Sequence, residues 1–349
     1  QNIPEKGVST YTDLVFGEIT VDYNDMEDNI LLKSDGMPTY NFANVVDDHL
    51  MNINYVIRGV EYLTSTNKYN LIYDAFGWER PQYIHLQPIM KDSTRKLSKR
   101  TGDASFEDFI TKGYLSEAIV NYIALLGWSP KDNREKLSMQ ELLEAFSIEG
   151  LSKSPSIFDE PKMRWLNSLY IKEVPAQDFA KLSKPYYDKL ELNGKFDYAI
   201  LNKLLQSRIE ILSDIPEKLK FIKEFDNFNL SLFENKKLKT DQQLAKEVLP
   251  KLLKKLEQIE TFDNSTLFAS LKEFAAEINL KSGALFWIMR IALTGSEVTP
   301  GGATEMAELF GKERVLERLN TAYNRLEKSA NLKSGEKIYF CIILLLFTS

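Results

Sequence analysis

Cysteine and histidine are scarce in this sequence of 349 residues, which has one cysteine, Cys341, and two histidines, His49 and His85. A single cysteine cannot form a disulfide within the chain, and such usage is typical of a reducing, cytoplasmic compartment. The usual nitrogen and sulfur ligands of a zinc ion are also nearly absent. These shortages exclude an internal disulfide scaffold and argue against a zinc module.

Export and membrane signals are missing as well. No charged segment followed by an apolar one occurs near residue 1, so the sequence has no recognisable secretory signal. The apolar run at 338–347 covers about ten residues, whereas a helix needs about 20 to cross a bilayer. We therefore expect a cytoplasmic protein without a membrane partner, and we assign no function to the tail at 331–349.

Positive charge is in deficit, because the net charge is −6 and the isoelectric point lies near 5.3. Total charge therefore gives no support to nucleic-acid binding. Local clusters still act, since the field at a phosphate depends on charges within about 8–10 Å. One cluster lies at 91–100, where a single acidic residue, Asp92, stands among Lys91, Arg95, Lys96, Lys99 and Arg100.

The pattern of apolar residues predicts an α/β part followed by an all-helical part. Short alternating runs within 1–39 are typical of β-hairpins. Two β-rich segments, NYVIRGVEYL and RPQYIHLQPIM, flank a helical stretch, and this order is typical of a parallel strand–helix–strand unit. Beyond residue 105 the apolar residues recur at helical spacing. A chain of this length has room for two or three domains.

The basic cluster has a position that suits a phosphate ligand. It follows a predicted strand of the α/β unit, where open sheets bind ligands beyond the carboxyl ends of their strands. Ser98, Thr101 and Gly102 allow a close approach of the backbone, and the lysines supply positive charge to polyphosphate oxygens. Such a run is more often a solvated surface, but its position favours a phosphate-binding loop.

Several segments together resemble one enzyme family. KLSKR at 96–100 is similar to the KMSKS signature loop of class I aminoacyl-tRNA synthetases, in the form typical of glutamyl-tRNA synthetases. Leu97 and Arg100 replace the Met and the final Ser of that signature. Six further segments resemble the same family and follow one another in the same order as in its members. They are 34–66, 76–89, 106–130, 158–171, 292–301 and 309–319. The likeness covers about residues 10–328.

The resemblance implies a fold and a reaction. The fold is the second half of a Rossmann-type class I catalytic domain followed by stem-contact and all-helical anticodon-binding domains. The implied reaction activates glutamate with ATP and Mg²⁺ to glutamyl-adenylate, then transfers the glutamyl group to the 3′ end of tRNA(Glu). We expect a monomer. The implied segments are the end of a catalytic-domain insertion (1–39), the nucleotide-binding half-domain (40–92), the signature loop with the stem-contact domain (93–172), two helical anticodon-binding subdomains (173–228 and 229–330) and the tail (331–349).

The resemblance also implies site residues. Lys99 would stabilise the reacting phosphate and the departing pyrophosphate, with Lys96 assisting. The other implied ATP-site residues are Leu97, Ser98, Arg100, Glu61, Tyr62, Ile89 and Met90. Glutamate selection would use Tyr40, Asn44 and Arg58, although an arginine in such a segment is otherwise more often part of an ordinary salt bridge. Anticodon contacts would come from Arg208, which the resemblance assigns to the third anticodon base, and from Arg290 and Thr299. We expect no metal site at Asp47, Asp48 and His49, because adjacent residues point in different directions.

The family's other signature, a His-x-Gly-His motif, does not occur in the 349 residues. Together with Gln1 as the first residue, this predicts a C-terminal portion of the enzyme that is inactive alone and whose residues 40–90 depend on the other half of the sheet. One alternative is a non-catalytic tRNA-binding module derived from the same family. Another is a glutaminyl-tRNA synthetase, but its anticodon region is a β-barrel, whereas 170–328 has a helical pattern.

Overall fold

A computed structural model of the chain describes residues 1–97, 105–192, 195–223, 225 and 227–347, and side chains as far as residue 329. The chain divides into two compact units, Gln1–Tyr170 and Ile171–Ser349. The finer division of the chain into six segments stays a prediction. Among the residues that the structure describes, none of the helices combines the length and the apolar character that a membrane crossing needs.

A four-stranded mixed sheet with the order β2-β1-β4-β3 organises the first unit. Strands β1 (Val8–Asp13) and β2 (Gly17–Asp22) form an antiparallel hairpin. Strands β3 (Tyr55–Gly59) and β4 (Gln82–Leu86) are parallel, and β1 joins the sheet through its pairing with β4. The hairpin and the parallel α/β unit predicted from the sequence are both confirmed.

Two helices pack together beside this sheet. Helix α2 (Thr66–Phe76) connects β3 to β4 and ends at Gly77, whose left-handed backbone (φ 64°) suits a residue without a Cβ. Helix α1 (Tyr40–Leu50), which the sequence pattern did not predict, packs on α2. Their shared core contains Val45, Tyr69, Ile72 and Tyr73.

The rest of the first unit is mostly helical. Strand β5 (Ile89–Met90) pairs in parallel with β6 (Ser156–Ile157). The helices are α3 (Phe106–Thr111), α4 (Ser116–Leu125), α5 (Met139–Ala145) and α6 (Glu160–Glu173), the last of which continues into the second unit. Capping boxes fix the starts of α3 and α5, because in each a serine and an acidic residue three positions later exchange hydrogen bonds.

Gly150 closes the small core around Trp128 and gives a stability prediction. The Trp128 indole N–H donates to the Ser147 carbonyl at 3.1 Å. A Cβ at position 150 would lie 2.4 Å from Trp128 Nε1 and 2.7 Å from the Ser129 carbonyl oxygen. We expect Gly150→Ala to lower the free energy of unfolding by roughly 1–3 kcal/mol, the usual cost of overpacking.

Thermal unfolding followed by near-ultraviolet circular dichroism measures this cost. Gly127→Ala is the matched control, since a Cβ at that position meets no atom within 4 Å. Equal melting temperatures for the two variants would contradict the packing argument.

The described residues of the second unit form helices, as the sequence predicted. They are α7 (Ala176–Lys189), α8 (Tyr198–Gln206), α9 (Asp214–Leu219), α10 (Gln242–Glu257), α11 (Asn264–Glu277), α12 (Ser282–Thr294) and α13 (Ala303–Phe347). The last of these is interrupted at Gly311, whose backbone is not helical. The fully buried side chains of α12 include Leu285, Ile288 and Met289, which place this helix at the centre of the unit.

Candidate active site and anticodon-contact region

The carboxyl edge of β3 and β4 gathers most of the residues implied for substrate binding. Arg58 lies opposite His85 in the parallel pair, and Gly59 lies opposite Leu86. Beyond β3 the chain forms a 3₁₀ helix at Val60–Tyr62, and beyond β4 it enters β5 within three residues. Three residues span at most about 11 Å. The glutamate and ATP segments therefore leave the sheet at the same edge, where open α/β sheets bind ligands.

The Arg58 guanidinium is enclosed by aromatic rings. Its Cζ lies 5.2 Å from the ring centre of Tyr62, 4.7 Å from that of Tyr69 and 5.8 Å from that of Tyr83. Such contacts stabilise a cation without neutralising it. Arg58 Nη2 donates to Thr66 Oγ1 at 3.2 Å, whereas the buried Nε has no hydrogen-bond partner among the described residues.

No carboxylate among the described residues forms an ion pair with Arg58, although other arginines such as Arg80 do form such pairs. The alternative interpretation of Arg58 as part of an ordinary salt bridge is therefore not supported. A half-buried positive charge that pairs with no described carboxylate, and that keeps one buried donor unused, is an arrangement that an anionic ligand completes.

Tyr40 and Asn44 occupy the same face of α1, one turn apart. The ring centre of Tyr40 lies 6.2 Å from that of Tyr62, so Tyr40, Tyr62 and Arg58 form a continuous cluster. The buried Oδ1 of Asn44 has no partner among the described residues. The structure thus brings Tyr40 to the cluster around Arg58, and Asn44 contributes a second unsatisfied polar atom on the same helix face.

Burial keeps the walls of this site neutral. Desolvation raises the pKa of Tyr69 and of Tyr83, with the nearby Arg58 acting in the opposite direction. Both phenols therefore stay protonated near neutral pH, and Tyr83 donates to Asn70 Oδ1 at 2.8 Å. Tyr69 and Tyr83 consequently present neutral phenol rings to Arg58.

The segment at 89–97 is a tight hairpin that positions the start of the signature loop. Leu97 N donates to the Ile89 carbonyl at 2.9 Å, and Lys96 forms a β-bridge with Met90. Lys96 and Leu97 therefore lie beside Ile89 and Met90, so four of the predicted ATP-site residues are brought together. The other predicted loop residues, Ser98, Lys99 and Arg100, lie outside the described part of the chain.

Asp92 holds the turn of this hairpin. Its carboxylate accepts hydrogen bonds from Thr94 N, Thr94 Oγ1 and Arg95 N, and it pairs with the Arg95 guanidinium at 2.6 Å. The hydrogen bond from the Arg95 guanidinium has the largest effect, and together these donors hold the pKa of Asp92 well below its usual range. The acidic residue in the basic cluster thus fixes backbone geometry and neutralises Arg95, while the Lys96 side chain stays exposed.

Glu61 and Tyr62 also lie at this edge, directly after β3. The Glu61 side chain folds back over Gly59, where a Cβ would lie 2.2 Å from Glu61 Oε2. Because Glu61 Oε2 is the end of an exposed, flexible side chain, this approach records the orientation of Glu61 and does not require glycine at position 59. Three further residues that the sequence analysis did not assign to the site, Asp13, Thr66 and His85, form a buried hydrogen-bonded group behind Arg58.

His49 is engaged in packing, since its ring stacks on Trp78 with ring centres 3.8 Å apart. In the described part of the chain, no three Asp, Glu, His or Cys side chains converge as metal ligands.

The three predicted anticodon contacts converge in the second unit around one acidic residue, Glu305. Arg208 Nη2 lies 3.7 Å from Glu305 Oε2, and that carboxylate accepts from Gly302 N at 2.7 Å. Arg290 Nη1 donates to the Glu297 carbonyl at 3.2 Å, and Thr299 Oγ1 donates to the Gly301 carbonyl at 2.6 Å. The loop at 295–302 therefore joins all three residues, and Glu305 is a member that the sequence analysis missed.

Burial lowers the pKa of Arg290, and Glu305 acts against this shift. The Arg290 Nε is buried without a partner among the described residues. Arg208, by contrast, is largely exposed. The two arginines thus offer one recessed and one accessible guanidinium at the same loop.

Comparisons with known proteins identify the family of this chain. Residues 1–165 match the family model described as tRNA synthetases class I (E and Q), catalytic domain, and residues 175–323 match that of an anticodon binding domain. The glutamate–tRNA ligase of Clostridium tetani is 47% identical over 95% of this chain and 68% of its own length. That of Clostridium kluyveri is 46% identical over 96% of this chain and 68% of its own length.

Solved structures of glutamate–tRNA ligases also match this chain. A glutamate tRNA ligase from Elizabethkingia meningosepticum, solved in complex with its amino acid, matches with a TM-score of 0.81 and 29% identity, covering 93% of this chain and 68% of the other. The synthetase from Elizabethkingia anophelis matches with a TM-score of 0.79 and 29% identity, covering 93% and 67%.

Proposed function

Since this chain belongs to the glutamate–tRNA ligase family of class I aminoacyl-tRNA synthetases, we propose that the carboxyl edge of β3 and β4 is its glutamate- and ATP-binding site. In the reaction of this family, a glutamate carboxylate attacks the α-phosphate of ATP, which forms glutamyl-adenylate and releases pyrophosphate. The glutamyl group then passes to the 3′ end of the tRNA. Both steps depend on alignment and on charge neutralisation.

The observation that carries this assignment is the state of Arg58. Its half-buried guanidinium lies among three tyrosine rings, forms no ion pair with a described residue and keeps a buried Nε without a partner among the described residues. A planar guanidinium binds a carboxylate through two parallel N–H donors, so a carboxylate of glutamate suits this position. Tyr40 and Asn44 supply neutral polar groups for the rest of the amino acid.

ATP binding is assigned to the hairpin at 89–97 and to the signature loop that follows it. Lys96 beside Met90 supplies a positive charge at the base of the loop, and the sequence places Lys99 three residues further. Because Mg²⁺ binds in such sites mainly through substrate phosphates and water, we propose that it enters with the ATP and needs no metal cluster of this chain.

Anticodon recognition is assigned to Arg208, Arg290 and Thr299 in the second unit. Arginine donors read base edges and phosphates, and single-stranded loops present both. The convergence of these three side chains around Glu305 and the loop at 295–302 supports their assignment to a common contact region.

Glutamate-dependent ATP–pyrophosphate exchange tests the catalytic proposal. The 349-residue chain is assayed together with a polypeptide that carries the His-x-Gly-His half of a family member. We expect exchange that falls by about 10²- to 10³-fold in Lys99→Ala, because a positive group acting on the reacting phosphates is lost. Lys131→Ala, which removes an exposed lysine from a turn, should leave the rate unchanged.

Absence of exchange in the mixture, with tRNA binding intact, would favour the alternative of a non-catalytic tRNA-binding module. Equal rates for Lys99→Ala and Lys131→Ala would overturn the assignment of the signature loop.

A further inference from the structure

A buried acid–histidine pair lies behind the substrate site and has no part in the proposed chemistry. Asp13 ends β1 and His85 lies in β4, and both side chains are fully buried. Asp13 Oδ2 lies 2.7 Å from His85 Nδ1 and accepts from His85 N at 3.1 Å. Its other oxygen accepts from Val15 N and Phe16 N at 2.9 and 2.8 Å. Four donors reach this carboxylate, and its bond with His85 Nδ1 needs only the N–H of a neutral imidazole.

The pair continues through Thr66 to Arg58. His85 Nε2 lies 3.2 Å from Thr66 Oγ1, in the first turn of α2, and the Thr66 side chain is fully buried. Arg58 Nη2 donates to the same oxygen at 3.2 Å. Asp13, His85, Thr66 and Arg58 therefore form one unbroken chain of hydrogen bonds, which we call the Arg58 relay. It draws on three strands of the sheet and one helix.

The direction of the relay follows from its donors. Arg58 is a donor only, so Thr66 Oγ1 accepts from it. The Thr66 hydroxyl has one proton and two acceptors within reach, His85 Nε2 and the Tyr62 carbonyl at 2.9 Å. A neutral His85 with its proton on Nδ1 donates to Asp13 and accepts from Thr66.

Burial lowers the pKa of His85 and thus favours the neutral ring. The charged groups that face this ring are Asp13, which acts against the shift, Arg58, which adds to it, and Glu61, which opposes it. With a neutral ring, and with the Thr66 proton directed at His85 and not at the nearer Tyr62 carbonyl, every step of the relay donates in one direction, from Arg58 towards Asp13.

We propose that Asp13, His85 and Thr66 are positioning residues that fix the rotation of the Arg58 guanidinium for its carboxylate ligand. Aromatic faces hold a cation with little preference for its rotation. One directed hydrogen bond at Nη2, anchored by a buried carboxylate, removes that freedom and keeps Nε unpaired. Supporting hydrogen bonds of this kind tune binding groups that they orient. The proposal rests on the assignment of Arg58 to glutamate binding.

Imidazole nitrogen resonances test the relay without any activity assay. The chain has two histidines, so His49→Gln assigns the His85 signals in a long-range ¹H–¹⁵N correlation spectrum of the full chain. At pH 7 we expect Nδ1 protonated and Nε2 unprotonated. Thr66→Val should shift the Nε2 resonance, because its donor is removed. Thr64→Val, which changes an exposed residue two positions away, should leave the Nε2 resonance unchanged.

A His85 ring protonated on Nε2, or an Nε2 signal unaffected by Thr66→Val, would overturn the relay. Circular dichroism and the melting temperature establish that each variant is folded. Should Thr66→Val fail to fold, Thr66→Ala replaces it in the same measurement.

Exchange kinetics in the reconstituted assay test the consequence for substrate binding. We expect Thr66→Val to raise the KM for glutamate by about tenfold, with the KM for ATP and kcat little changed. Thr66→Ser, which keeps the hydroxyl, should restore the wild-type value, whereas a merely structural role would not separate the two substrates.

Arg58→Ala distinguishes the two proposals. If Arg58→Ala leaves the KM for glutamate unchanged, the assignment of Arg58 fails, and the resonance experiment still decides whether the relay exists. If Arg58→Ala raises that KM and a folded Thr66→Val does not, the positioning role is overturned while the assignment of Arg58 stands.

Discussion

Arg58→Ala is expected to raise the KM for glutamate in the reconstituted exchange reaction by about 10²- to 10³-fold. Removal of one partner from a buried, hydrogen-bonded charge pair commonly costs about 2–5 kcal/mol, because the other charge is left desolvated and unpaired. Here the partner would be the substrate carboxylate, enclosed by Tyr62, Tyr69 and Tyr83. No other described arginine or lysine takes part in this aromatic cluster, so no neighbouring charge replaces the guanidinium.

Two further variants make this result specific. Arg58→Lys keeps the charge but loses the planar fork and the stacking on the rings, so it should fall between wild type and Arg58→Ala. Arg80→Ala, which removes an arginine paired with Asp74 near the surface, should leave the KM unchanged. A KM for ATP that rises in parallel with that for glutamate would show a general loss of structure and contradict selective carboxylate binding.

Some parts of this site could be predicted from the sequence and others could not. Residue pattern alone gave the hairpin and the parallel strand–helix–strand unit, because alternation and turn residues are local signals. It missed α1, whose polar composition and adjacent valines, Val45 and Val46, hide a helical stripe of about three turns. That helix is stabilised by the packing of Val45 against α2, and tertiary packing of this kind is not a local property.

Residue roles at the site came from the family resemblance and not from pattern. Nothing near Arg58 in the sequence indicates three tyrosine rings, since Tyr69 and Tyr83 arrive from the next helix and the next strand. The Arg58 relay could not be predicted from local sequence, because Asp13 and His85 are 72 positions apart. The one available signal was an ionisable residue at the end of β1 and another within β4.

The second unit shows the same limit. Arg208, Arg290 and Thr299 matched family positions. Glu305, which lies near Arg208 and accepts from Gly302 N, did not stand out, because it is one acidic residue at the start of an amphipathic helix. Its contacts with Arg208 and with Gly302 N follow from the close approach at Gly301, where a Cβ would lie 2.9 Å from the Glu305 side chain. Gly301 can be read from the sequence, but its contact with the Glu305 side chain cannot.

Arg208→Ala is expected to weaken binding of a tRNA(Glu) with the native anticodon by about 10- to 100-fold, since a good base-edge contact is worth roughly 1–3 kcal/mol. Filter binding by the 349-residue chain at one fixed salt concentration measures the loss. The same variant should bind a tRNA with a changed third anticodon base about as well as wild type does. Lys203→Ala, which removes an exposed lysine from α8, the helix that ends just before Arg208, should weaken both tRNAs slightly and equally, as a phosphate contact would.

The local geometry explains why Arg208 can exchange partners at low cost. Its Nη1 donates to the Leu204 carbonyl at 3.1 Å, which anchors the side chain, and its Nη2 lies 3.7 Å from Glu305 in a partly exposed ion pair. Exposed pairs of this kind contribute about 0–1 kcal/mol, so a base edge can replace Glu305 without a large penalty. An equal loss of affinity for both tRNAs in Arg208→Ala would instead assign this guanidinium to the phosphate backbone.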